Sequence, residues 1–167
     1  EQCIELGVTS FDHADIYGGY AVETLFGDAL ELAPGLRARL QLVGKCGIKL
    51  VAPERPAHRI KQYDTSAAHL TASVEHSLRA LRTDHLDLLL IHRPDPLMDF
   101  DEIAEAFQAL KAAGKVLHFG VSNFSRHQFE CLNRRIALAT NQVDFAQPAR
   151  FDLFAAQPVF TDLFSTA

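Results

Sequence analysis

Residues 85–92 read HLDLLLIH, apolar almost throughout, and Pro94 and Pro96 stop the run two residues later. A short apolar run of this kind is a strand buried on both faces. Parallel sheets are nearly always buried on both faces, because the crossover that returns the chain to a parallel neighbour lays a helix across the sheet. The flanking segments agree. Strand signals lie at 8–11, 40–47, 116–123 and 138–143. Helical apolar stripes separate them: Val22, Leu25, Phe26, Ala29 and Leu30; then Leu70, Val74, Leu78 and Leu81; then Ile103, Ala106, Phe107 and Leu110. Ser66 reads as the N-cap of the second of these helices and Gly114 as the C-cap of the third. Ser125 and Gln128 have the spacing of a capping box for a helix that follows the fourth strand. The segment 48–65 is polar and proline-bearing and reads as a long connection.

Strands and helices therefore alternate five times, the pattern of βαβ units. A doubly wound sheet and a (β/α)8 barrel both fit. No GxGxxG follows any of the strands, which weighs against a dinucleotide-binding doubly wound sheet. In a barrel, chemistry collects at the C-terminal ends of the strands. At those ends stand Asp12 and Tyr17, then Lys45, His92, Ser122 with Asn123, and Asn141 with Gln142. A free phenol is a poor acid at neutral pH, with a pKa near ~10. A nearby ammonium favours the phenolate, and a carboxylate can hold that ammonium in place. A histidine beside a phenol can orient a carbonyl oxygen or relay its proton. Hydroxyl and amide side chains at neighbouring strand ends suit a carboxamide.

Five runs carry a resemblance to a known family: FDHADIYGGY with ETLFG, VGKCG, LLLIHRPDP, GKVLHFGVSNFS and NQV, in that order and each at a strand end. Together they resemble the aldo-keto reductases, from the start of the chain to about Gln142. HRPDPLMDFDEIAEAFQAL and RPAHRIKQYDTS resemble a bacterial oxidoreductase branch of that family. The resemblance implies an α/β fold, a (β/α)8 TIM barrel that binds NADPH without a Rossmann motif. It matches Tyr17 to the general acid, Lys45 and Asp12 to the charged pair that supports it, and His92 to the histidine that positions the substrate carbonyl. Ser122, Asn123 and Gln142 match the groups that hydrogen-bond the nicotinamide carboxamide. It implies reduction of an aldehyde or ketone to an alcohol. Gly18 and Gly19 permit a tight path from the strand into the helix, and His13 and Asp15 are supporting polar groups with no assigned chemistry.

About five of the barrel's eight βα units are expected, in a single domain spanning 1–167. The segment EQCIELGV reads as the closing turns of a helix ending near Gly7, and the barrel is expected to be incomplete at both ends. The family's stacking aromatic and its basic 2′-phosphate loop belong to later strands, so the chain alone is expected to bind cofactor weakly and to self-associate, and an inert or merely binding fragment is the rival expectation. The phenylalanine-rich stretch 151–164 has no clear period. A net charge of −5 argues against nucleic acid or an anionic membrane as partner, and no apolar run reaches the roughly 18 residues of a membrane span. Oligomeric state is left open. Three cysteines without a CxxC pair argue against a disulfide framework or zinc and for a reducing cytoplasm, each thiol expected as a small buried hydrophobe. A metal site built from Asp12, His13, Asp15, His92 and Asp95 is disfavoured, because Asp12 and His13 would face opposite sides of one strand.

Overall fold

The computed structural model describes residues 2–143. Five strands form one parallel sheet: β1 (Ser10–Asp12), β2 (Gln41–Cys46), β5 (Leu86–Ile91), β6 (Val116–Ser122) and β7 (Asn141–Gln142), in that spatial order. The helices between them are α2 (Val22–Glu31), α3 (Ala67–Leu81), α4 (Phe100–Ala112) and α5 (Arg126–Asn133), and a short α1 (Gln2–Glu5) precedes β1. The register sets Asp12 beside Val43, Lys45 beside Leu90 and Ser122 beside Gln142.

Side-chain alternation divides the core in two. Leu42, Cys46, Leu89, Ile91, Phe119 and Val121 pack with the helices, where Phe107 stacks on Phe119 with ring centroids 4.2 Å apart. Val43, Leu88 and Leu90 form a separate cluster on the opposite face with Ala139. Both faces of the sheet are thus buried, as the apolar run at 85–92 demands. Lys45 shares the parity of Val43 and so belongs to that second, inner face.

The sheet is strongly curled. A flat five-stranded sheet would hold its outer strands about 19 Å apart. Yet the Gln142 amide on β7 donates to Asp12 Oδ2 on β1 at 3.3 Å. The architecture is a partial (β/α)8 barrel, and its edge strands approach each other at the end where the strands finish.

Local signals are met closely. Ser66 Oγ accepts from the His69 N–H, Ser125 and Gln128 form a complete capping box, and Gly114 takes φ +70° after α4. The stripes of α3 and α4 are buried as expected. Gly7 follows α1 with φ +83°.

Other expectations need correction. The segment 48–65 holds two short strands, β3 (Ile48–Lys49) and β4 (Gln62–Tyr63), paired antiparallel. The first strand begins at Ser10 rather than Val8, and the last is confined to Asn141–Gln142. On α2, Leu25 is 67% exposed, while Glu23 and Gly27 are buried with Leu30. The reason is close packing: a Cβ on Gly27 would sit 2.1 Å from the Ala80 carbonyl oxygen of α3. This turns the helix away from its most apolar stripe. Of the cysteines only Cys46 is buried; Cys3 is exposed and Cys131 half-buried on α5. The stretch 151–164 lies outside the described residues. Among the described residues, no helix is long and apolar enough to cross a membrane.

Candidate active site

The end of β1 delivers Asp12 and then turns sharply. The His13 N–H donates to the Val43 carbonyl at 2.7 Å and the Asp15 N–H to the Lys45 carbonyl at 3.0 Å, so the chain still follows β2 after the strand ends. Gly18, Gly19 and Tyr20 then run at φ +57°, +65° and +76°, a left-handed path that the two glycines make accessible. Tyr17 sits between these constraints. Its N–H donates to the Ala14 carbonyl at 3.0 Å, and its carbonyl accepts from Val22 at the start of α2 at 3.3 Å.

Asp12 and His13 diverge as strand alternation requires. Asp12 ion-pairs with Lys45, while the His13 ring is buried edge-on against Phe26, with centroids 4.5 Å apart. Lys45 is 2% exposed and its ammonium lies 5.3 Å from the centre of the Tyr17 ring. His92 follows β5, its N–H bonded to the Cys46 carbonyl at 2.8 Å. Its ring stands 6.0 Å from that of Tyr17, centre to centre, at 83°. Four side chains drawn from three strand ends thus meet in one place.

The electrostatics of His92 follow from that place. Burial first, then the Lys45 and Arg93 charges, hold its imidazole down to about 4, against an opposing pull from Asp12. Its Nδ1 is buried and has no hydrogen-bond partner among the described residues. At neutral pH the ring is uncharged and can donate one hydrogen bond rather than present a cation. A base held below its unfolded value near 6.5 leaves stability complete above that value, and stability is lost as pH falls from 6.5 towards 4. NMR titration should place the His92 midpoint near 4, and His92→Gln should remove part of the acid destabilisation in that window. A midpoint near 6.5 would contradict the burial that defines the site.

Ser122, Asn123 and Gln142 line the next strand ends. Ser122 is buried and its Oγ accepts from the Asn123 amide at 2.9 Å. Asn123 adopts φ +58°, and its N–H donates to the Gln142 carbonyl at 2.9 Å. Gln142 in turn reaches Asp12. These neutral hydroxyl and amide groups are a donor and acceptor set that fits a carboxamide, and they stand on the same rim as Tyr17. Asn141 has a different task. Its amide brackets the turn after β6, donating to the Phe124 carbonyl at 2.8 Å and accepting from the Phe124 N–H at 3.3 Å. In the sequence Asp15 carries no assigned chemistry, and Glu23 stands only as the first residue of the ETLFG run. Both are buried beside this loop.

The sequence matches the Aldo/keto reductase family over residues 1–150. It is 61% identical over 148 residues to the uncharacterized oxidoreductase YcsN of Bacillus subtilis, covering 87% of this chain and 49% of that protein. It is 49% identical over 148 residues to a 6-dehydroglucose reductase of Agrobacterium fabrum, covering 87% and 50%. An aldo-keto reductase from Klebsiella pneumoniae, solved in complex with NADPH, superposes with a TM-score of 0.65 at 35% identity, covering 84% of this chain and 44% of that one. The chain spans about half the length of the curated relatives it matches.

Proposed function

The chain belongs to the aldo/keto reductase family, and from that membership we propose that its strand-end residues perform NADPH-dependent reduction of an aldehyde or ketone to an alcohol. The observation that carries this reading is the convergence of Tyr17, Lys45, Asp12 and His92 on one rim, with the phenol ring 5.3 Å from the ammonium and 6.0 Å from the neutral imidazole. Ser122, Asn123 and Gln142 would hold the nicotinamide carboxamide, and the cofactor, when bound, supplies the hydride. His92, uncharged, holds the carbonyl oxygen towards the phenol. Tyr17 gives its proton to that oxygen as negative charge grows on it. The Lys45 ammonium favours the anion left on the phenol, and Asp12 fixes the ammonium while Gln142 fixes Asp12. The reading extends to a cytoplasmic protein acting on a small carbonyl compound.

The test is NADPH titration of this chain followed by cofactor fluorescence, with NADPH consumption then measured in the presence of a simple aldehyde. A saturable change in emission and carbonyl-dependent consumption are expected. Unchanged emission from a chain shown by circular dichroism to be folded counts against the reading.

A further inference from the structure

The loop that carries Tyr17 buries two carboxyl groups that the proposed chemistry does not use. Asp15 is 4% exposed and Glu23 2%. Asp15 Oδ1 and Glu23 Oε1 are both buried without a hydrogen-bond partner among the described residues. Among the described residues Ser77 Oγ of α3 donates to Glu23 Oε2 at 2.9 Å, and the Ser73 hydroxyl of the same helix draws Asp15 down. Among the described residues neither carboxyl has an ion-pair partner. Two unpaired carboxylates in the helix–sheet layer are costly as anions, and a buried acid in that position takes up a proton instead.

The pair is also mechanically tied to Tyr17. Asp15 is two residues before it, in the turn closed by the Tyr17 N–H on the Ala14 carbonyl. Glu23 follows Val22, whose N–H holds the Tyr17 carbonyl. The backbone of Tyr17 is therefore clamped from both sides by the segments that bear the two carboxyls.

We propose that Asp15 and Glu23 are a proton-binding pair that positions Tyr17: with a proton bound the loop between β1 and α2 holds the phenol against Lys45 and His92, and loss of the proton shifts it. The meaning of that shift for reduction rests on the reading of Tyr17 as proton donor; the shift itself does not.

The surroundings are consistent with titration near neutrality. Burial, then the Glu23 charge, pushes Asp15 up to about 7. Burial pushes Glu23 up to about 7. From β2, the Cys46 thiol is pushed well up by burial and by both carboxylates, so it stays neutral. From the segment between β3 and β4, Arg55 draws both carboxyls down while its guanidinium lies 4.7 Å from the centre of the Tyr20 ring. From the loop itself, Tyr20 is pushed up by burial. From α3, His69 lies 3.4 Å from Ser73 Oγ and is held below its ordinary value by burial, as is His76, which the Arg55 charge lowers further. Acids held above their unfolded values give stability that is full below about pH 4 and lost as pH rises through about 7.

The experiment is an NMR titration of the chain labelled at Asp and Glu carboxyl carbons and at Tyr rings, with Tyr17 assigned through Tyr17→Phe. Asp15 and Glu23 should titrate near pH 7, and the Tyr17 ring resonances should move with the same midpoint. In Glu23→Gln the Asp15 midpoint should fall, because the neighbouring charge is gone. In Asp15→Asn the neutral movement of Tyr17 should shrink or vanish. Carboxyl midpoints at ordinary acid values overturn the proposal, and that result needs no variant to fold. A Tyr17 shift unchanged in Asp15→Asn also overturns it, leaving the pair a structural couple. No readout requires cofactor or substrate, so failure of the reductase reading would be seen separately, in the NADPH titration.

Discussion

Tyr17→Phe is expected to reduce carbonyl turnover by about 10²–10⁴-fold, the range lost with a general acid, and to leave NADPH affinity and thermal stability unchanged. The substitution removes one oxygen and keeps the ring. The ring is what contacts its neighbours, edge-on to His92 and over the Lys45 ammonium. The backbone bonds that set the loop, from Tyr17 to Ala14 and from Val22 to Tyr17, do not depend on the hydroxyl. Nothing in the fold therefore answers for a loss of rate except the missing proton. Initial rates beside a cofactor titration and a thermal melt separate the possibilities. Full turnover in the variant would move the proton to another donor and remove Tyr17 from the proposed role.

The residues that build this site were legible because a parallel sheet with helical crossovers puts chemistry at strand ends, and the strand ends could be found. The run at 85–92 could hardly be anything but a buried strand, so His92 fell at its C-terminal end. The alternation along β2 likewise separates Lys45 and Val43 from Leu42 and Cys46. What periodicity cannot show is a strand two residues long. The β3–β4 pair in 48–65 has no repeat to detect, and its polar composition reads as loop.

The inward face of α2 is hidden from the sequence for a different reason. Counting apolar positions favours Leu25 and Ala29, but tight contact at Gly27 against Ala80 rolls the helix so that Glu23 turns inward. Glutamate is almost never fully buried, so its burial could not be expected from composition. The closure of the site was also hidden. Asp12 and Gln142 are 130 residues apart and sit on opposite edges of the sheet, and only the curl brings them within hydrogen-bond distance. A sequence names the members of such a site more readily than it shows that the two edges meet.

That closure gives the Asp12–Lys45 pair an asymmetry with a large expected effect. Lys45→Met should abolish most turnover at little cost in stability, whereas Asp12→Leu should damage both. The ammonium is 5.3 Å from the Tyr17 ring centre. A positive charge at that spacing favours the negative charge that grows on the phenol as it gives up its proton, and methionine removes it. Methionine fills the volume of the lysine stem and adds no polar group to the inner face. It leaves behind Asp12, whose side chain is 44% exposed and still accepts from Gln142 at 3.3 Å. The residual charge is therefore solvated, and the usual penalty for breaking a buried pair is largely avoided. Removing Asp12 instead leaves an ammonium that is 2% exposed without its carboxylate. That is the case in which losing one partner costs about 3–5 kcal/mol, because the surviving charge is stranded in the interior. Chemical denaturation of the two variants, beside their initial rates, tests the asymmetry directly. Equal destabilisation by the two would mean that Lys45 is held chiefly by the fold around it, and that Asp12 does not fix it for catalysis.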